Sequence, residues 1–301
     1  MMEQKTRNIF FLGKGGVGKS TSAALTALYL AGKGKKIQLV SLDPAHNQSD
    51  IFEQRFSGKP VKVTENLSVS EVEIDYWVKK YLSDIRTQMK RNYSYLTAFN
   101  LENYFDVIRY SPGIEEYAIL MAYHHIRQKA GATDYIIFDM PPTALTLKFL
   151  TLPALSLKWL DNLLKLRDKI IEKRQIISKI KMGKKELETD KIRRKLQQQI
   201  EDYQKVKTVF EDPDKTLLNL VMNTDKLSFS ESELIVRKLS EFNITVRNIF
   251  LNKYHESFDI SVIRKKYKKC DIQVLPESNR SLLGKAALSD YLSHLDSFLT
   301  F

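Results

Sequence analysis

Residues 8–31 read NIFFLGKGGVGKSTSAALTALYLA, and their order decides the fold. Asn8–Leu12 is a short apolar run suited to a buried strand, and Ser20–Ala31 has the Ala/Leu composition of a helix. Between them stand Gly13, Gly15, Gly16 and Gly18, four of only eleven glycines in the chain, a crowding that asks for a backbone reason. Gly13–Ser20 satisfies the pattern of glycine, four residues, then Gly-Lys-Ser. Average glycine usage would give this in about one chain per hundred before any strand-loop-helix context is demanded. Successive backbone N–H groups turn inward around phosphate oxygens only where no Cβ intrudes, and the helix N-terminus adds its dipole. Lys19 then becomes the cation on the β- and γ-phosphates and Ser20 the hydroxyl ligand of Mg²⁺. The phosphate-binding residues are Gly13, Lys14, Gly15, Gly16, Val17, Gly18, Lys19, Ser20 and Thr21.

Outward from that loop the pattern repeats. Gly32 and Gly34 close the first helix, and Ile37–Leu42 (IQLVSL) is a second apolar strand with Asp43 at its carboxyl end. Tyr135–Phe138 (YIIF) is followed by Asp139, and Asp43 and Asp139 fit the acidic partner of a bound Mg²⁺ equally well, although a lone Asp at a strand end is commonly a turn former. Further strands are predicted at Leu217–Met222, Val246–Leu251 and Ile272–Leu275, with helices near Ser230–Phe242, Ser257–Lys269 and Gly284–Leu299. Strands alternating with helices give an α/β fold with a doubly wound, mostly parallel sheet. Two stretches, about 76–128 and 147–210, carry helical periodicity without strands. They predict a helical subdomain inserted into a single domain over 1–301.

The chain has 301 residues, 43% of them hydrophobic, enough to bury a core without disulfides. Cys270 is the only cysteine, which excludes within-chain disulfides and four-cysteine metal sites and points to an intracellular, cytoplasmic home. No signal-peptide pattern and no apolar run of about 18 residues occurs, so no transmembrane segment is predicted. The net charge is +12, and Thr151–Phe210 alone holds sixteen Lys/Arg against eight Asp/Glu. That stretch reads as a solvated face, a contact for duplex DNA or a contact for anionic lipid. Interleaved aromatics are missing apart from Trp159 and Tyr203, with Phe210 closing the stretch, so stacking on single-stranded nucleic acid is not supported, and nucleic acid is not the favoured partner.

Lys14, directly after the first glycine, makes the loop similar to the deviant P-loop of the class that holds MinD, ParA, the nitrogenase iron protein and ArsA. Within that class, Asp43-Pro44-Ala45-His46-Asn47-Gln48-Ser49-Asp50 resembles switch I of the ArsA family, the arsenite-pump ATPases and the guided-entry ATPases that target tail-anchored membrane proteins. The resemblance continues through Ser111–Glu116, Asp139–Leu150 (DMPPTALTLKFL) as switch II, Leu220–Leu239, Asn252 and Leu275–Gly284, and so covers nearly the whole chain. It implies an ATP-hydrolysing homodimer that binds ATP and Mg²⁺. Lys14 would reach the nucleotide of the facing subunit, Asp50 would orient the attacking water, and Ser20, Asp43 and Asp139 would serve the metal. Asn252 would read the adenine edge, Pro276 would help cover the base, and Asp225 would contact the nucleoside. The implied work is nucleotide-switched capture and delivery of hydrophobic membrane-protein segments. A second implied reading is a soluble energising subunit of an anion or arsenite pump with a membrane pump subunit as partner, and a third is a ParA-like DNA-cargo ATPase.

The chain also departs from the family pattern. Family switch II usually reads like DTAPTGHTLR, whereas Met140, Pro142, Ala144 and Leu145 depart from it here. The thiols that would bind arsenite are absent, as is a cysteine pair for a shared structural zinc. His124 and His125 are adjacent on a predicted helix, face different directions and read as structural. Met89, Met121, Met140, Tyr93, Tyr95, Phe99, Tyr104, Phe105 and Tyr123 suit either the core, the commoner use of such residues, or a hydrophobic client groove. The C-terminal helix from Lys285 to Phe301 carries Asp290 and Asp296, the wrong charge for a membrane anchor.

Overall fold

The structure, a computed structural model, describes residues 6–92, 111, 113–178, 190–295 and 298. Its centre is β1 (Arg7–Leu12), whose side chains alternate between two cores as a strand's period of two requires. Ile9 and Phe11 enter one core, Phe10 and Leu12 the other, and all four are at most 1% exposed. The remaining strands are β2 (Ile37–Ser41), β3 (Val61–Lys62), β4 (Leu67–Glu71), β5 (Tyr135–Asp139), β6 (Thr216–Met222), β7 (Asn248–Tyr254) and β8 (Asp271–Pro276). They form one sheet in the order β3-β4-β2-β5-β1-β6-β7-β8, parallel except for the antiparallel edge pair β3/β4. This is the doubly wound sheet predicted, and it puts the carboxyl ends of β1, β2, β5, β6, β7 and β8 along one edge.

On one face lie α1 (Lys19–Gly32), α2 (Asn47–Ile51) and, near the C-terminus, α9 (Gly284–Ser293), packed on Ile9, Phe11, Leu39, Ile137, Val221 and Phe250. The other face is covered by α3 (Ile74–Asn92), α4 (Ile114–Lys129), α5 (Thr143–Ser178), α6 (Lys191–Glu211), α7 (Lys226–Ser240) and the short α8 (Ser261–Lys266). Rings supply the contact there. Phe10 stacks on Phe138 at 4.9 Å, and Tyr123 from α4, Phe149 from α5 and Phe210 from α6 close around the pair. α5 is 36 residues long with Pro153 inside. It pairs with α6, whose N-cap Asp190 accepts the Arg193 N–H at 2.7 Å and holds the Arg167 guanidinium of α5 at 2.6 Å.

Several sequence expectations change. The segment read as a helix over Ser257–Lys269 is helical only over Ser261–Lys266, because Asp259 turns the chain by accepting the Ser261 N–H and hydroxyl. The C-terminal helix ends at Ser293, where the hydroxyls and N–H groups of the last turn fold back on nearby carbonyls. Strands β3 and β4 were not foreseen. In β4 the polar Ser68, Ser70 and Glu71 interrupt the apolar run, and Ser70 and Glu71 are nonetheless buried. Of the candidates for a client groove, Met140 and Tyr123 are core residues at 0% and 3% exposure. Tyr93, Tyr95, Phe99, Tyr104 and Phe105 lie outside the described residues, as does the side chain of Met89.

Candidate active site

The loop after β1 adopts backbone geometry that glycine alone tolerates. Gly13, Gly16 and Gly18 all have positive φ, and a Cβ on Gly13 would collide with the Val221 carbonyl of β6. At Gly15 and Gly16 a Cβ would meet nothing within 4 Å, so this part of the loop is not crowded by its neighbours. α1 begins at Lys19 with Gly18 at its N-cap and no side-chain cap hydrogen bond, the kind of helix N-terminus that suits an anion. Lys19 is only 6% exposed, and its ammonium donates to the Lys14 carbonyl at 3.1 Å. Burial pulls this lysine below its ordinary range, against the opposing pull of Asp139, Asp43 and Glu231.

Asp139 ends β5, the strand beside β1, and is fully buried. Its Oδ2 accepts from Gln48 Nε2 at 2.9 Å, while its Oδ1 is buried without a protein partner. Burial pushes its carboxyl up to about 6, aided by the charge of Asp43 and opposed by hydrogen bonds from Gln48 and Ser20 and by Lys19. Asp43, also buried, follows β2 and accepts the Ala45 N–H at 3.0 Å. A fully buried carboxylate with an orphan oxygen, a second carboxylate and a serine hydroxyl at a phosphate loop make a donor set that suits a hard divalent cation. Ser20, Asp43 and Asp139 therefore fit the Mg²⁺ expected of them, and no tight cluster of three or more His/Cys/Asp/Glu competes among the described residues. Bound there, Mg²⁺ would neutralise phosphate charge.

The stretch after β2 is fastened residue by residue. His46 takes a left-handed conformation (φ 51) to start α2. Asn47 donates to Ser20 Oγ at 3.4 Å, and the buried Gln48 amide donates both to Asp139 and, at 3.1 Å, to the Ser20 carbonyl. Ser49 turns the other way, to Glu71 at the end of β4. Asp50 comes next and is exposed. On the opposite side Thr143, the first residue of α5, donates to the Gly13 carbonyl at 3.3 Å and also to the Glu231 carboxylate of α7.

The other predicted residues stand along the same sheet edge. Asn252 on β7 donates to the Val17 carbonyl at 2.8 Å, which brings it against the phosphate loop. Pro276 ends the neighbouring β8, is exposed, and its carbonyl accepts the Tyr291 hydroxyl at 2.7 Å. Asp225 is exposed and caps α7 by accepting the Ser228 N–H at 2.9 Å. Lys14 is half-buried at the lip of a cavity of about 580 Å³ that Thr143, Leu147, Leu227, Glu231 and Leu234 also line. Sequence reasoning missed Gln48, Glu71 and Glu231. Each is a polar residue of a kind normally solvated, and only the fold turns it inward.

A profile described as anion-transporting ATPase matches residues 6–277. An Aquifex aeolicus protein named for driving an arsenical pump (ATPase 2) is 32% identical over 82% of this chain and 80% of its own length. The ATPase ASNA1 homolog of Cryptosporidium parvum is 31% identical over 84% of this chain and 66% of its own, and ATPase GET3A of Arabidopsis thaliana 30% identical over 83% and 68%. The chain thus spans about two thirds of the length of the latter two.

Proposed function

The chain belongs to the anion-transporting ATPase family, and from that membership we propose that its ATPase cycle captures and releases hydrophobic segments of membrane proteins. It is an ATPase. Gly13–Thr21 would hold the phosphates of ATP, with Lys19 against the β- and γ-oxygens and Ser20, Asp43 and Asp139 serving Mg²⁺. Asp50 would orient the attacking water. Lys14 would complete the site of a second copy, and the exposed Leu227 and Leu234 beside it support a face-to-face homodimer. Asn252, Pro276 and Asp225 would meet the nucleoside.

One observation carries the client-capture role. Leu155, Trp159, Leu166 and Ile170 of α5 are between 47% and 63% exposed and fall on one side of the helix, at spacings of four and seven. The same helix begins at Thr143, four residues past Asp139, so a change at the metal-side carboxylate has a direct mechanical route to an exposed apolar face. The 76–128 and 147–210 helices would act together as the client subdomain. Many basic side chains of the 151–210 stretch are engaged internally: Lys165 with Asp161, Arg167 with Asp190, Arg193 with Asp168, Lys205 with Asp202 and Lys207 with Glu211. That weakens a DNA role. Among the described residues no helix is long and apolar enough to cross a membrane.

The name of the Aquifex relative supports a second role, energising an arsenical pump. Soft As(III) favours several thiolates, and Cys270 is the single cysteine, so any such coupling would have to work without a thiol cluster. The experiment that decides is gel filtration of the purified protein with a fluorescently tagged single-span membrane protein, in Mg-ATP, using Asp50→Asn to slow hydrolysis. Co-elution that disappears with Lys14→Ala supports capture by a closed dimer. No co-elution by any form, together with ATPase stimulation by arsenite, would transfer the assignment to the pump.

A further inference from the structure

We propose that Glu71 is a positioning residue for ATP hydrolysis, fixing switch I through Ser49 so that Asp50 stands at one place relative to the γ-phosphate. The inference rests on the assignment of Asp50 to the attacking water. Glu71 is 2% exposed, and among the described residues no Lys or Arg forms an ion pair with it. The nearest nitrogen of a basic side chain in an ion pair with it is His46 Nδ1, 3.7 Å from Oε2 and beyond hydrogen-bond reach. Its carboxylate is instead spent on one residue. Oε1 accepts the Ser49 N–H at 2.8 Å and Oε2 accepts the Ser49 hydroxyl at 2.7 Å.

A carboxylate is costly to bury, and a fold that needed only a strand end at this position would be served by an apolar side chain. What the carboxylate supplies is a pair of short, charge-assisted bonds that fix both the backbone and the side chain of Ser49. The contact extends on both sides. Ser49 Oγ accepts the Phe56 N–H at 3.0 Å, and the Glu71 N–H donates to the Ser57 carbonyl at 2.8 Å, so β4 also holds the chain that leaves α2. α2 itself is five residues long, too short to keep its own shape. Asn47 and Gln48 tie its start to Ser20 and Asp139, and Glu71 ties the residue directly before Asp50 from the opposite side. Asp50 is the first position of this run that points to solvent. Its location is set by the two anchors, of which Glu71 is the closer in sequence. A displacement of about 1 Å in a group that orients a reactant costs on the order of a hundredfold in rate.

The test is a kinetic double-mutant cycle on the full chain: wild type, Glu71→Gln, Asp50→Asn and the double variant, with kcat and KM for ATP at saturating Mg²⁺ and binding of a fluorescent ATP analogue. Glu71→Gln keeps the volume and one carbonyl oxygen. It is expected to lower kcat about tenfold while KM and analogue affinity stay within about twofold, and to cause no further loss in the Asp50→Asn background. Loss by the same factor in both backgrounds, or loss confined to KM or to the melting temperature, overturns the proposal and leaves Glu71 a structural residue. If Asp50→Asn alone hydrolyses at the wild-type rate, the Asp50 assignment fails first, and the inference falls with it. Ser49→Ala, which keeps the backbone N–H hydrogen bond to Glu71 and removes the hydroxyl, is run through the same two backgrounds. It should lower kcat less than Glu71→Gln and likewise only where Asp50 is present, and it decides the matter alone should Glu71→Gln fail to fold.

Discussion

Alanine at Gly18 should cost more when Asn252 is present than when it is absent. Gly18 has φ +92, and a Cβ there would run into the Asn252 amide, the group that donates to Val17 O at 2.8 Å. Two terms follow. Forcing a Cβ into the left-handed region costs about 1–2 kcal/mol whatever the neighbours. Pushing Asn252 aside forfeits its hydrogen bond, about 0.5–1.5 kcal/mol more. In wild type both apply, for a total near 2–3 kcal/mol, a large share of the roughly 5–15 kcal/mol that holds a domain together. In an Asn252→Ala background the obstacle and the bond are already gone, and only the first term remains. The assay is urea unfolding of the four proteins without nucleotide, followed by two probes to check that the transitions coincide. A coupling of about 1 kcal/mol is expected. Equal costs of Gly18→Ala in both backgrounds, within about 0.3–0.5 kcal/mol, would refute the collision and with it the placement of Asn252 against the loop.

Gly13→Ala should be worse than Gly16→Ala, because the first meets the Val221 carbonyl in the middle of the sheet and the second meets open space. The same unfolding measurement should separate them by about 1–3 kcal/mol of overpacking. Asp139 gives a pH dependence. Its carboxyl is raised by burial from 3.8 to about 6, so across that window the folded chain holds a proton that the unfolded chain has released, and the stability of the metal-free protein falls as pH rises. Thermal melts at pH 4.5 and 7 should show this slope and lose much of it in Asp139→Asn; an unchanged slope in the variant would assign it to other groups. Since Mg²⁺ competes with that proton, the stabilisation given by Mg-ATP should be larger at pH 7 than at pH 5. Trp159→Lys with Leu166→Lys should change the unfolding free energy by no more than about 0.5 kcal/mol per site, both side chains being more than half exposed, yet abolish co-elution with a single-span client. A client retained by this variant would remove α5 from the capture surface.

The chemistry of the phosphate loop was legible because it is local: the spacing of Gly13, Gly18, Lys19 and Ser20 sets backbone geometry within a few residues, and no distant part of the chain has to be known. The strands at Asn8–Leu12, Ile37–Leu42 and Tyr135–Phe138 were legible for a related reason, since strands buried on both faces are mostly apolar. β4 escaped notice because its polar residues read as solvated, and they are buried only because β2 and switch I come to lie beside them. Asp43 and Asp139 could be named as acids at strand ends, but their sharing of one buried space with Lys19 depends on the strand order, which no local pattern contains.

The sequence by itself therefore determined the loop, the alternation of strand and helix and the chemical class of the site, all consequences of short-range sterics and hydrophobic period. The tertiary structure alone decided which polar groups are drawn out of water and onto which partners: Gln48 onto Asp139, Ser49 onto Glu71, Thr143 onto Glu231 and Asn252 onto the phosphate loop. Those contacts span 22 to 235 residues along the chain, and they arise from the packing of strands whose order is set by the whole core.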